Sequence, residues 1–216
     1  QSVPKPSIRF QHVSFSYQPG QPVLEDVSFA IHPGECATLT GRTGAGKSTI
    51  FRLLLGLFQP DAGHITICGR NPMTIPDSQK RKLFGYVEQS FHLIPGTIAE
   101  QISLFDPSIS RAQIEQAARL TGLHEIILAL ENGYDTPAAE NLFSQGQLQL
   151  LSIARAIAAD PEILLLDEIT ANLDSDTERR VMDALEQASR NRTVLSISHR
   201  LYERTMAGKL ISVGKE

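Results

Sequence analysis

The sequence predicts an α/β protein with a mostly parallel core sheet, an antiparallel β subdomain and an inserted helical subdomain. Three observations carry that expectation. Residues 8–31 alternate apolar and polar side chains and are rich in β-branched and aromatic types, as a half-exposed hairpin requires. Three short runs, ECATLTG, EILLLDE and TVLSISH, lose the alternation and read as strands buried on both faces, the mark of parallel pairing. From Thr97 to about Asn132 the chain turns to helical stretches separated by DPS and TG, which places a mostly helical lobe between two parts of the core.

Taken in order, QSVPKPS carries two prolines and no apolar period, so residues 1–7 read as an extended linker and the domain as 8–216. IRFQHVSFSY and VLEDVSFAI flank the turn-like QPGQP, and HPGE turns the chain into the buried ECATLTG. Apolar residues then recur at helical spacing from Lys47 to Phe58. HITICGR reads as an edge strand and FGYVEQ as a short buried one. The helical subdomain spans about 90–158. After it, EILLLDE, a helix from about Asp176 to Ser189 and TVLSISH form the strand–helix–strand unit of a parallel sheet.

Composition excludes several classes. At 216 residues and 41% hydrophobic, the chain can bury one good core. Its 20 basic and 24 acidic residues leave −4, which supplies no electrostatic footprint for nucleic acid or an anionic membrane face. Two cysteines, Cys36 and Cys68, make no disulfide framework and are expected to be packed thiols in a reducing compartment. The longest apolar runs, such as ILLL and LLLGLF, fall far short of the roughly 20 residues a spanning helix needs. The opening on Gln1 rather than Met suggests a piece of something longer.

The strongest chemical signal is GRTGAGKST: Gly41, Arg42, Thr43, Gly44, Ala45, Gly46, Lys47, Ser48 and Thr49. It fits G-x-x-x-x-G-K-[ST] and stands between a buried strand and a helix, as the phosphate loop of a P-loop NTPase must. Its glycines let backbone N–H groups converge on phosphate oxygens, and the helix start adds a positive dipole end. Lys47 is expected to reach the β- and γ-phosphates, Ser48 to supply a hydroxyl to Mg²⁺, and Thr49 to sit nearer the α-phosphate. ILLLDE adds a carboxylate at the C-terminal end of a buried strand. There Asp167 is the expected Mg²⁺ ligand, and Glu168 is placed to orient or deprotonate an attacking water. The plainer reading, that both acids are simply solvated where the strand ends, is the weaker of the two even taken alone.

A third stretch, ENLFSQGQLQLLSIARA, sets small and amide side chains at the head of an apolar helix. Together with the phosphate loop, ILLLDE and SISHR, it resembles the nucleotide-binding domain of ABC transporters, over about Ile8 to Gly214. Phe143, Ser144, Gln145, Gly146 and Gln147 stand where that family has Leu-Ser-Gly-Gly-Gln; Gln145 resembles the multidrug-resistance-associated branch. The resemblance implies that this segment meets the γ-phosphate held by a second, head-to-tail subunit. A helix N-terminus with a free hydroxyl is an anion site, although Ser144 would equally serve as a plain helix cap. The same resemblance implies that Tyr17 stacks on adenine, that Gln89 reaches Mg²⁺ and the water, that Asp174 belongs to a loop across the dimer interface, and that His199 contacts γ-phosphate. Each has an ordinary structural reading: sheet packing for Tyr17, a polar strand end for Gln89, an N-cap for Asp174, a core role for His199.

Some positions depart from the family pattern. Gln145 replaces a Gly, Ala171 a Ser and Ile169 a Pro, the last a residue that does no chemistry in the family. YDTPAAENLF is shorter than the loop exporters place before the signature, whereas IPGTIAEQI resembles their segment after Gln89. The resemblance therefore implies an ATPase domain of an ABC exporter, using ATP and Mg²⁺. Its expected partners are a second ABC ATPase domain, in a homodimer or heterodimer, and a transmembrane domain of the same transporter that holds it at the cytoplasmic face. The other reading weighed is a soluble ABC ATPase acting on ribosomes or DNA; the acidic balance and the exporter-like segment speak against it.

Overall fold

The computed structural model describes residues 7–88, 90–167, 173–197, 203 and 208–214. It divides into two compact units, one comprising Gln1–Leu83 with Asn191–Glu216 and the other Phe84–Arg190.

In the first unit, β1 (Ile8–Gln18) and β2 (Gln21–Ile31) form the antiparallel hairpin, and β4 (Ala62–Ile67) pairs antiparallel with the other edge of β1. The alternation does what it predicted: Ile8, Phe10, Val13 and Phe15 of β1 are buried, and Phe10 stacks on Phe29 at 4.5 Å. β3 (Cys36–Thr40) pairs in parallel with β7 (Thr193–Ser196) on one side and β8 (Lys209–Ser212) on the other. With both edges occupied and Ala37, Thr38 and Leu39 buried, β3 has no alternation to show.

Two expectations, the extent of the helix after β3 and the packing of Cys68, need correcting here. The helix after β3, α1, spans Lys47–Leu54 and stops short of Phe58. Gly56 adopts φ 71°, its N–H donates to Leu53 O, and the Leu57 N–H donates to Arg52 O, so a left-handed C-terminal motif ends the helix there. Cys36 is partly buried, and burial pushes its thiol pKa up. Cys68, however, is exposed, in the turn that follows β4, at φ 47°. Ser7, assigned to the linker, is buried, accepts a hydrogen bond from the Cys68 N–H at 2.9 Å and lies 3.3 Å from the Thr193 hydroxyl.

Among its described residues the second unit carries β5 (Phe84–Val87), parallel to β6 (Ile163–Leu166), and the α-helices α3 (Ile98–Ser103), α4 (Arg111–Leu120), α5 (His124–Leu128), α6 (Gln145–Ile157) and α7 (Ser175–Ser189). The separators read from sequence act locally. Asp106 of DPS accepts from the Ser108 N–H, and Thr97 and Ser110 each head a helix with a reciprocal capping box. α6 is the hub, packed on α3, α4, α7 and β5. Its Leu150, Leu151, Ile153 and Ile157 are buried, each contributing on the order of 2 kcal/mol of apolar burial. A short helix, α2 (Asp77–Leu83), and strand β8 had no counterpart in the sequence reading; with seven and four residues, they are too short to show a period.

Candidate nucleotide site

The phosphate loop is built by backbone conformation. β3 delivers the chain to Gly41, the Ala45 N–H donates to Arg42 O at 3.0 Å, and Gly46 closes the loop at φ 90°, ψ 11°. A Cβ at Gly46 would lie 2.6 Å from Leu24 Cδ2 and 3.1 Å from Val23 O, so both conformation and space demand glycine. α1 consequently starts with no side-chain cap and no acid in its first turn. Among the described residues, no side chain spends the leading N–H groups at the positive dipole end, as an anion site requires. The Lys47 ammonium is held over the loop by the carbonyls of Gly41 and, at 3.2 Å, Arg42. Ser48 is exposed and Thr49 buried.

Tyr17 comes to the same helix. Its hydroxyl lies 3.1 Å from Thr49 Oγ1 and accepts from Arg52 Nη1 at 2.9 Å. Phe15 and Phe58 meet its ring edge to face, at 4.9 and 5.3 Å between centroids. It is thus fixed by both ends yet 43% exposed, leaving aromatic surface beside the loop. Arg52 and Phe58, which orient it, were not singled out from sequence; only strand and helix packing together brings them near.

In the second unit, Asp167 follows β6. Its N–H donates to Val87 O at 3.1 Å, extending the parallel pairing by one residue. Its carboxylate accepts from the Tyr86 hydroxyl at 3.0 Å. Tyr86 therefore aims the expected metal-binding carboxylate, and sequence reasoning missed it; β5 and β6 are far apart in the chain, so no local signal links them.

The Ser144–Gln147 segment starts α6. The Ser144 Oγ accepts from the Gln147 N–H at 3.2 Å, and the Gln147 side-chain oxygen accepts from the Ser144 N–H at 2.9 Å, a complete capping box. The cap and the phosphate contact are compatible: capping uses an oxygen lone pair and leaves the hydroxyl proton to donate elsewhere. Gly146 is held there by a close neighbour, since a Cβ on it would lie 2.0 Å from Thr177 Cγ2 of α7. Asp174 is the N-cap of α7, accepting from the Thr177 N–H at 3.0 Å. The Thr177 hydroxyl, then the Thr177 N–H, hold its carboxyl below the usual carboxylate range. Arg155, further along α6, stacks on Phe91 at 4.0 Å and donates to the carbonyls of Gln101, at 2.7 Å, and His92. It so pins the segment just after Gln89.

The structure thus gathers Tyr17 with Gly41–Thr49 in one unit, and places Asp167, Ser144, Gln145, Gly146, Gln147 and Asp174 in the other. Gln89, Glu168, Ala171, Asn172 and His199 lie outside the described residues. Among the described residues, no cluster of three or more His, Cys, Asp or Glu could hold a metal ion, and no helix is long and apolar enough to cross a membrane.

Comparison with known proteins supplies the family. The ABC transporter family model matches residues 24–171. The mycobactin import ATP-binding/permease protein IrtA of Mycolicibacterium smegmatis is 43% identical over 208 residues, which cover 96% of this chain and 24% of that protein. The ATP-dependent lipid A-core flippase of Saccharophagus degradans is 39% identical over 202 residues, 93% of this chain and 34% of the flippase. The chain therefore spans about a quarter to a third of the curated relatives it matches. The structure of a bacterial Atm1-family ABC exporter with ATP bound superposes with a TM-score of 0.83 at 33% identity, covering 99% of this chain and 38% of the exporter chain. With the phosphate loop, the Asp167 strand end and the capped Ser144–Gln147 helix in one α/β chain, these matches establish that the chain belongs to the ABC transporter family, as an ATP-binding and ATP-hydrolysing domain.

Proposed function

We propose that this domain powers an ABC exporter from the cytoplasmic face of a membrane, where a transmembrane domain of the same transporter holds it. Two such domains, two copies of this chain or this chain and a different one, close head to tail around two ATP molecules. The observation that carries the reading is the start of α1: an uncapped, acid-free helix end behind a left-handed glycine, with Lys47 poised over the loop. That end is organised for phosphate before any ligand arrives.

The donors on offer suit Mg²⁺, a hard ion that takes one or two carboxylates, hydroxyls, waters and phosphate oxygens. The Ser48 hydroxyl, the Asp167 carboxylate aimed by Tyr86 and the Gln89 amide oxygen would hold it. Bound ATP with Mg²⁺ supplies a γ-phosphoryl group open to attack by water. The chain's own residues do the rest. Gly41 to Thr49 cradle the phosphates, Tyr17 carries the adenine, Glu168 orients the water and takes its proton, and His199 steadies the γ-phosphate. Ser144, Gln145, Gly146, Gln147 and Asp174 of the opposite domain complete the enclosure. The relatives are named permease and flippase, which favours a membrane partner over a clamp on ribosomes or DNA. Their names span import as well as outward movement, so the domain's share is ATP-driven closure, and export rests on the exporter-type neighbour.

The test is the solution mass of Glu168→Gln, measured by light scattering with and without ATP and Mg²⁺. Mass that doubles only with nucleotide supports closure of two copies. A chain that stays monomeric while ATP is shown to be bound would overturn self-pairing and leave a different partner chain as the second half.

A further inference from the structure

Thr177 touches two motifs at once. Its N–H donates to Asp174 Oδ1 at 3.0 Å, and its hydroxyl is the largest cause of the lowered Asp174 pKa. Its other branch fills the notch that Gly146 leaves in α6: a Cβ there would lie 2.0 Å from the Thr177 methyl but 3.9 Å from its hydroxyl oxygen. The methyl therefore faces α6, while the N–H of the same residue is held by Asp174. Thr is β-branched, so hydroxyl and methyl turn on one stiff χ1, and the position of the hydroxyl dictates where the methyl presses. Ser144, Gly146, Gln147 and Thr177 also line a single cleft of about 350 Å³ between α4, α6 and α7.

We propose that Thr177 is a positioning residue that locks the Ser144–Gln147 helix start to Asp174, so that the two segments facing the opposite domain move as one body. The proposal rests on the function proposed above for what that body meets. A displacement of Asp174 by the opposite domain would reach Ser144 through one side chain, about one turn of helix away from either cap. None of Thr177's atoms belongs to the phosphate loop, so the first encounter with ATP is independent of it.

Two isolating substitutions separate its branches: Thr177→Val keeps the shape and loses the hydroxyl, and Thr177→Ser keeps the hydroxyl and loses the methyl. Amide hydrogen exchange on the nucleotide-free chain is the first readout. Thr177→Val is expected to speed exchange by about threefold to tenfold in the first turn of α6 as well as that of α7, since loss of roughly 1 kcal/mol is a factor of about five. Changes confined to α7 would overturn the proposal. Gly146→Ala should perturb the α6 start more strongly, and adding Thr177→Ser to it should restore protection, because removing the methyl makes room for the new Cβ; no restoration would also overturn it. These arms need neither turnover nor dimerisation, so they stand even if the proposed function fails, which would show as a wild-type chain that neither hydrolyses ATP nor pairs. With turnover, both single variants should lower kcat about tenfold while KM for ATP stays within about twofold. Wild-type kcat in both, or a loss that only follows the melting temperature, would reduce Thr177 to a cap and a packing contact.

Discussion

α1 and α6 both start at a glycine-containing tip assigned to phosphate, yet they are prepared in opposite ways. Gly46 leaves α1 with no side-chain cap, whereas Ser144 and Gln147 close a capping box on α6. α1 is eight residues long and α6 thirteen. The function proposed above accounts for the difference by what each helix would have to do alone. An end that binds ATP within its own chain gains from keeping its N–H groups unspent, because every internal cap would have to be displaced. An end that meets its phosphate only when a second domain arrives must be stable meanwhile, so it satisfies its own donors and retains one hydroxyl proton for the encounter. α7 marks a third case: Asp174 caps it and Asp176 and Glu178 occupy its first turn, so its positive end is already neutralised and offers no anion site.

The contrast can be broken or sharpened by experiment. The largest effect is expected from Lys47→Ala, which removes the ammonium held over the loop. ATP binding by the single chain should weaken by about 100-fold, or about 2.7 kcal/mol, in a titration by calorimetry; unchanged affinity would mean that α1 is not the primary phosphate site. Next comes Gln145→Glu, which sets a carboxylate in the first turn of α6. The helix should tolerate it or gain a few tenths of a kcal/mol, and single-chain ATP affinity should not move, but ATP-driven pairing should weaken about tenfold. Pairing as tight as wild type would show that no phosphate meets this helix end. Ser144→Ala removes the cap and should cost about 1 kcal/mol, a fall in melting temperature of about 2–4 °C, with no loss of single-chain ATP binding.

The smallest effect concerns acid. The folded Asp174 carboxyl titrates below its ordinary value of 3.8, so the unfolded chain binds its proton first as pH falls. The stabilisation is complete above the ordinary value and is lost as pH drops through the folded one. The stability difference between wild type and Asp174→Asn should therefore be constant above about pH 5 and vanish at lower pH, while the Ser144→Ala difference stays flat, its cap having no carboxylate to titrate. A Ser144→Ala difference that also closed in acid would point to a charged group supporting α6.

Much of this was legible in the chain because the signals are local. GRTGAGKST sits between its strand and its helix, Ser144 and Asp174 lie next to the donors they cap, and the alternation of residues 8–18 tells which face of β1 is buried. What stayed hidden is what distance in sequence hides. Nothing near Tyr86 announces that its hydroxyl orients Asp167, because β5 and β6 are joined only through the sheet. Gly146 reads as a flexible tip, and only its contact with Thr177 of α7 shows a steric role. Arg155 reads as a polar residue late in α6, and the fold turns it into the clamp on the segment that follows Gln89.

The amino-acid sequence by itself determined the class of fold, the family resemblance and the chemistry offered to a nucleotide, since turn geometry, caps and buried strands depend on neighbours within a few residues. Tertiary structure alone decided that Tyr17 is tied to Thr49, that Tyr86 aims Asp167 and that Thr177 fits Gly146. Those are contacts between elements brought together by burying apolar faces, and side-chain shape selects them only after the backbone has arrived.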